Sequence, residues 1–137
     1  EAGAASLRPG CSVISTRRFK ARLVGVSFGA TGSASARPSV CTRWRGTPAE
    51  RQRLRDDFDR VSRWAAREQR PVLLGEFGAY SRADDATRIA WTRAVREEAE
   101  ARGFAWAYWE LASSFGVLEP LSLQWRQPLL DALLPAR

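Results

Sequence analysis

The chain has 137 residues, with 22 Lys or Arg, 15 Asp or Glu, no His and a formal net charge of +7. This length suits one compact domain but is too short for a closed (β/α)8 barrel, which needs about 200–250 residues. Residues 1–45, called the head below, hold eight of the basic residues and one acid, so they account for the whole net charge. Their cations show no aromatic stacking pattern, and residues 46–137 are electrically balanced, so a nucleic-acid partner is not expected.

The head carries few structural signals. It is rich in Ala, Ser, Arg and Gly, and only the run from Arg22 to Phe28 resembles a strand. Free thiols are favoured over a disulfide for Cys11 and Cys41, and no metal site or cofactor is expected. No signal peptide is visible, and no apolar run reaches the roughly 18 residues of a membrane span. The abrupt change near residue 45 suggests a hypothesis, that the head is an out-of-frame translation joined to an in-frame remainder.

The first predicted helix begins after Thr47. Thr47 and Glu50 form a capping box, with Pro48 at the first helical position. Apolar residues then recur at helical spacing as far as about Gln69, namely Leu54, Phe58, Val61, Trp64 and Ala65. The residues on the opposite face are mostly Arg and Asp, which is typical of a solvated surface.

A strand, a helix, a strand and a helix are predicted to follow. The apolar run Val72–Gly75 predicts a buried parallel strand, and Asp84 or Asp85 can cap a second helix that Gly103 ends. A second strand is predicted over Phe104–Leu111. The inward positions of the second helix are Ile89, Trp91, Ala94, Val95 and Ala99. Those of a last helix from Pro128 are Leu129, Leu130, Leu133 and Leu134. This alternation indicates parallel βα units and an α/β fold.

Glu76 is the most informative single residue. It follows the first predicted strand and lies between Gly75 and Gly78, in the sequence Gly-Glu-Phe-Gly. A strand core does not tolerate an unpaired charge, so Glu76 is expected where the strand emerges, facing a pocket. A solvated Glu at an ordinary strand end fits these residues equally well.

Residues 70–135 resemble the C-terminal end of glycoside hydrolase family 5, the cellulase family of retaining (β/α)8 barrels. With an upstream helix, WRGTPAERQRLRDDFDRVSRWA from Trp44 to Ala65, the resemblance covers about two-thirds of the chain. GEFGAY followed by WAYWE is its most specific part. The other matching stretches are RPVLLGEFGAY, RIAWTRAVREEAEARGFAWAYWE, SSFGV and WRQPLLDALLP.

The resemblance implies a fold and two site residues. The fold is α/β, the C-terminal part of a (β/α)8 TIM barrel with its last two or so βα units, and therefore an incomplete barrel over residues 46–137. Glu76 corresponds to the family's catalytic nucleophile, and Trp109 to the tryptophan that stacks on the sugar at the end of the last strand. Core positions are expected for Trp64, Trp91 and Trp106, whereas Trp44 and Trp125 are regarded as peripheral. Glu110 is expected to bond neighbouring backbone or an arginine.

The sequence also departs from the family. The family's acid/base glutamate follows an Asn on an upstream strand, and its substrate-positioning histidines are missing, since the chain contains neither Asn nor His. The resemblance therefore implies a fragment of a retaining β-1,4-glucan hydrolase that is inactive alone, secreted as its family is, with a polysaccharide or oligosaccharide substrate. The alternative is a carbohydrate-binding remnant that keeps the aromatic platform without hydrolysis.

Overall fold

The computed structural model describes residues 44–135 and four strand residues of the head, 22–23 and 26–27. Two short strands precede three helices and two longer strands. In chain order the elements are β1 (Arg22–Leu23), β2 (Val26–Ser27), α1 (Pro48–Glu68), β3 (Leu73–Phe77), α2 (Asp85–Glu100), β4 (Ala105–Tyr108) and α3 (Gln127–Leu133). The run predicted as one strand from Arg22 therefore contains two strands, which pair antiparallel with each other. Cys11 and Cys41 lie outside the described residues.

Helix α1 begins and ends as its sequence predicts. The Thr47 hydroxyl accepts a hydrogen bond from the Glu50 N–H at 3.2 Å, and the Glu50 carboxylate accepts one from the Thr47 N–H at 2.8 Å. These bonds satisfy N–H groups that have no partner within the first helical turn. At the other end, Gln69 adopts the left-handed conformation with φ of 50° and bonds back to Ala65 and Ala66.

Strands β3 and β4 form a parallel pair connected by α2, as the predicted alternation requires. The register pairs Leu73 with Ala105, Leu74 with Trp106 and Phe77 with Tyr108. Asp84, rather than Asp85, caps α2, since its carboxylate accepts the Thr87 N–H at 2.8 Å. Gly103 has φ of 68° in the turn before β4, where glycine avoids a Cβ clash.

Helices cover one face of this sheet. Phe77 of β3 packs edge-on against Trp106 and Tyr108 of β4, and its ring lies 6.3 Å from that of Trp91 on α2. The opposite face is open in the part of the chain described, where Leu73 is 42% exposed and Ala105 and Ala107 are exposed. Parallel sheets are normally buried on both faces, so this is the face that would line the interior of a closed barrel.

Helix α1 is fastened to the end of α2 by Arg102. Its guanidinium bonds Asp59 on α1 and Glu98 on α2, both at 2.6 Å, and lies 5.6 Å from the centre of the Phe58 ring. The apolar stripe of α1 faces the same core, where Leu54 and Phe58 are buried and Val61 and Ala65 are partly buried.

Two predicted details at the ends of the domain are wrong. Trp44 is not peripheral but belongs to the buried core, where its carbonyl accepts a hydrogen bond from the Thr87 hydroxyl at 3.4 Å. Leu134 follows the last turn of α3 and is exposed, whereas Leu129 and Leu133 are buried. None of the helices in the described ranges has the length and apolar character to cross a bilayer.

Candidate active site

The carboxyl ends of β3 and β4 meet at one edge of the sheet. The Trp109 N–H donates a hydrogen bond of 2.8 Å to the Phe77 carbonyl, directly after the last paired residues of the strands. The segments that carry Glu76 and Trp109 are therefore neighbours. In barrels of parallel strands, active sites are built at this end of the sheet.

A bulge in β3 determines which way Glu76 faces. Two residues lie between Leu74 and Phe77 on β3, but only one lies between their partners Trp106 and Tyr108 on β4, so the register shifts between them. The additional residue allows both Leu74 and Phe77 to be buried. Glu76 remains exposed, so its carboxylate is directed away from the helix-covered core. Bulges that redirect a side chain in this way are common beside active sites.

Strand β3 is therefore longer than the sequence suggests. The predicted strand ended at Gly75, but the observed strand continues through Phe77 and includes Glu76. Strand β4 is shorter than predicted and ends at Tyr108, so Trp109 belongs to the loop that follows.

Gly78 allows the two segments to touch. A Cβ atom at this position would lie 1.9 Å from the Trp109 carbonyl oxygen and 3.4 Å from Cδ1 of Phe115. No side chain fits at 1.9 Å from a backbone oxygen, so glycine is required for this approach. The peptide bond between Trp109 and Glu110 is cis.

Trp109 differs from the tryptophans of the core. It is 50% exposed, whereas Trp91 is buried and Trp106 is partly buried against the core, as predicted for these two. A half-exposed indole on a segment next to one that carries a strand-end carboxylate is suitable for stacking on the apolar face of a sugar. Trp125 is also about half exposed, at 51%, on the loop before α3. Contact of Trp109 with sugar stays a prediction.

Glu110 has a structural contact. Its carboxylate accepts a hydrogen bond of 3.4 Å from the Phe115 N–H, within the loop after β4. This confirms the expectation that Glu110 bonds neighbouring backbone. Glu76, by contrast, makes no hydrogen bond to any other described residue that would hold its carboxylate in a structural role.

Tyr108 is partly buried under the same loop. Its hydroxyl donates a hydrogen bond of 2.8 Å to the Phe115 carbonyl. Burial raises the pKa of the phenol, and the nearby Arg88 guanidinium opposes this only in part. Tyr108 is therefore a neutral hydrogen-bond donor near neutral pH.

Arg88 is a buried residue of this region that the sequence analysis did not single out. It is 2% exposed, and its guanidinium contacts both the loop after β3 and the loop after β4. Its signal is an arginine three residues before Trp91 and seven before Val95, within the inward stripe of α2. Arginine is usually a surface residue, so its place in this stripe does not by itself predict burial.

The described residues do not group their Asp and Glu side chains as a metal ion would require. The chemistry available at this edge is that of a carboxylate and an aromatic platform. A retaining glycosidase needs a second carboxyl about 5–5.5 Å from the first. The family's Asn-Glu pair, which supplies it, is not in this sequence.

Solved structures similar to this chain are substantially longer than it. Thermotoga maritima Cel5A in complex with cellobiose is 41% identical with a TM-score of 0.66, and the match covers 68% of this chain and 30% of that one. The cellulose synthase subunit Z of Clostridioides difficile, CcsZ, is 44% identical with a TM-score of 0.66, covering 68% of this chain and 31% of that one. These similarities confirm that the βα units are part of a TIM-barrel fold, of which the described residues form two parallel strands without a closed barrel.

Sequence comparisons agree with this assignment. Endoglucanase H of Acetivibrio thermocellus is 34% identical over 71 residues, which are 50% of this chain and 8% of that protein. The chain therefore spans about a third or less of the length of these relatives. A sequence model of the cellulase family, glycosyl hydrolase family 5, matches residues 28–114 and so begins inside the predicted head. Because this match covers more than half of the residues, the chain belongs to glycosyl hydrolase family 5.

Proposed function

We propose that this chain provides the nucleophile side of a retaining glycosidase site for β-1,4-linked glucans. Glu76 is the nucleophile and Trp109 is the platform for the sugar beside the cleaved bond. The observation that carries the proposal is the placement of an exposed strand-end carboxylate and a half-exposed indole on adjoining segments, joined by the bond from Trp109 to Phe77.

The proposed reaction has two steps. The Glu76 carboxylate attacks the anomeric carbon and forms a glycosyl ester, while a second carboxyl group protonates the departing glycosidic oxygen. Water, deprotonated by that second group, then attacks the same carbon and releases Glu76. Configuration is retained because the carbon is inverted twice.

The second carboxyl group must come from barrel strands outside these residues. Removing a general acid/base lowers rates by about 10²–10⁴-fold, and here the walls of the substrate cleft are missing too. The 137-residue chain alone is therefore expected not to cleave carboxymethylcellulose or an aryl cellobioside. Turnover above background by the purified chain would contradict this assignment of roles.

The test of Glu76 needs a complete barrel. In a chimera, residues 44–135 would replace the matching segment of Thermotoga maritima Cel5A, and hydrolysis of an aryl cellobioside would be followed. Glu76→Gln should lower kcat by up to about 10⁶-fold, the scale seen when a covalent nucleophile is removed from another enzyme. Glu97→Gln, an exposed change on α2, is the matched control and should be nearly neutral.

Two further measurements identify the nucleophile by its chemistry. Glu76→Gly should regain turnover with azide, which enters the vacated space and yields a glycosyl azide of inverted configuration. A 2-deoxy-2-fluoro glycoside should leave its sugar on the peptide that contains Glu76, detected by mass spectrometry. Labelling of another carboxylate would refute the assignment.

The second candidate is sugar binding without hydrolysis. The half-exposed Trp109 and the absence of an Asn-Glu pair from this sequence support it. It requires that Glu76→Gln leave cello-oligosaccharide binding unchanged, that Trp109→Ala abolish it, and that the complete barrel show no turnover.

The likeness to Cel5A supports a β-linked oligosaccharide as ligand, since that enzyme was crystallised with cellobiose and with mannotriose. An extracellular location follows from the proposal, because a glucan polymer does not enter cells. Detection of the protein in culture medium would test it.

A further inference from the structure

Arg88 connects the two loops that follow β3 and β4. Its Nε donates to the Ala79 carbonyl at 3.2 Å, in the loop after β3. Its Nη2 donates to the carbonyls of Phe115 and Gly116, both at 3.3 Å, in the loop after β4. Its Nη1 lies 3.4 Å from the carboxylate of Asp85, a side chain that is mostly exposed.

Backbone carbonyls rather than carboxylates balance most of this buried charge. With 2% exposure, the guanidinium depends on these acceptors, since an uncompensated buried cation would be strongly destabilising. Arginine can satisfy three carbonyls from two loops because its donors form a rigid planar fork, which the single ammonium of lysine does not reproduce.

Other contacts join the same two loops. The Ser81 N–H donates to the Ser114 carbonyl at 2.7 Å, and the rings of Tyr80 and Phe115 lie 5.3 Å apart. Among these contacts between the two loops, those of Arg88 come from α2. Arg88 therefore fixes both loops to one rigid helix.

These loops adjoin the proposed site. Ala79 follows Glu76 by three residues, and Phe115 follows Trp109 by six. A change in the separation of the two loops would alter the separation of the carboxylate and the indole. Displacements of about 1 Å at such a site can cost about 10²-fold in rate.

We propose that Arg88 is a positioning residue, which holds Glu76 and Trp109 in register without touching substrate. The proposal rests on the function proposed above and adds a residue, outside the strand ends, that determines the geometry of the site. It predicts that loss of the Arg88 contacts increases opening of the two loops at the site more than it increases opening of the rest of the domain.

Arg96 offers a matched control on the same helix. It is also buried, with 7% exposure, and its Nε donates to the Ala132 carbonyl of α3 at 2.8 Å. Arg96 therefore joins α2 to α3 and leaves the two loops untouched. Arg88→Lys removes guanidinium bonds to three loop carbonyls, whereas Arg96→Lys removes one such bond to α3 and ion pairs with Glu97 and Glu100.

The experiment measures amide hydrogen exchange by NMR in the 137-residue chain and its variants. In Arg88→Lys, protection of the Ser81 and Trp109 amides should fall about tenfold or more relative to the amides of α1, since a hydrogen bond to a charged group is lost. Arg96→Lys should leave that ratio unchanged. Arg88→Met, which fills the space without a charge, should reproduce the loss and so exclude a mere effect of burying an ammonium.

A sugar titration separates this proposal from the function on which it rests. The indole N–H signal of Trp109 is followed as cellotetraose is added, and Arg88→Lys should need about tenfold more sugar than wild type or Arg96→Lys. If sugar shifts the signal equally in all three proteins, the positioning role is overturned and the sugar site stands. If exchange changes as expected but no protein responds to sugar, the positioning role stands and Trp109 is not a sugar platform in this chain.

Discussion

The close approach of Gly78 to the Trp109 carbonyl predicts that alanine at Gly78 lowers the stability of the domain, whereas alanine at Gly75, in the same motif, raises it. In Gly78→Ala, the new Cβ would lie 1.9 Å from that oxygen and 3.0 Å from its carbon. The loop after β4 must move away, which strains the 2.8 Å bond from Trp109 to Phe77. In Gly75→Ala, the Cβ meets nothing within 4 Å.

The magnitudes follow from these contacts. Overpacking costs about 1–3 kcal/mol, and a lost backbone hydrogen bond costs about 0.5–1.5 kcal/mol. We therefore expect Gly78→Ala to lower the free energy of unfolding by roughly 1.5–4.5 kcal/mol. Gly75→Ala should raise it by about 0.5–1 kcal/mol, because alanine loses less backbone entropy than glycine in a strand.

Urea unfolding measures both variants. Circular dichroism and tryptophan fluorescence are recorded together, since coincident transitions establish two-state behaviour. With an m-value of about 1 kcal/mol/M, the midpoint of Gly78→Ala should fall by more than about 1 M, while that of Gly75→Ala should rise slightly. Equal midpoints for the two variants would show that the close approach at Gly78 does not matter for stability.

Two pH dependences follow from groups with shifted pKa values. Burial raises the pKa of Glu50, but hydrogen bonds from Thr47 and Arg45 outweigh it and hold the pKa below its ordinary value. The stability that this lowered pKa gives is present above the unfolded pKa of about 4.3 and is lost as pH falls through the lower folded pKa. The urea midpoint of Glu50→Gln should therefore change less between pH 5 and 3 than that of wild type. Equal changes in the two proteins would contradict the role of the capping box. Burial raises the pKa of Tyr108, so its contribution is present below the unfolded pKa of about 10 and is lost as pH rises through the folded one. Tyr108→Phe should be less stable than wild type near pH 8 and lose less stability above pH 10, and an unchanged alkaline slope would contradict the burial of the phenol.

Local signals in the sequence predict the helices well. Thr47, Pro48 and Glu50 define the start of α1, and Asp84 that of α2, because a cap depends on residues within one turn. The apolar inward positions of both helices follow from their spacing, but the buried Arg88, Thr92 and Arg96 of α2 do not. The sequence predicts a buried Leu134 in the last helix, but this helix ends at Leu133 and Leu134 is exposed.

Contacts between elements were harder to anticipate. The extent of β3 depends on a bulge that forms when β3 pairs with β4. The sequence of one strand does not determine its register with a partner strand. Trp44 is buried through contacts with residues about 40 positions later. The sequence does not distinguish Arg88 from the other arginines of α2, because its hydrogen-bond acceptors lie in two loops distant in sequence.

The bulge at Gly75 and Glu76 also bears on how this strand tolerates insertions and deletions. Two residues there stand where the partner strand has one. Deleting codon 75 would produce an uninterrupted pleat in which Leu74 and Phe77 still face the helices and Glu76 still faces away. Evolution can therefore shorten this segment by one residue without exchanging its inner and outer faces, whereas the same deletion in a regular strand would exchange them.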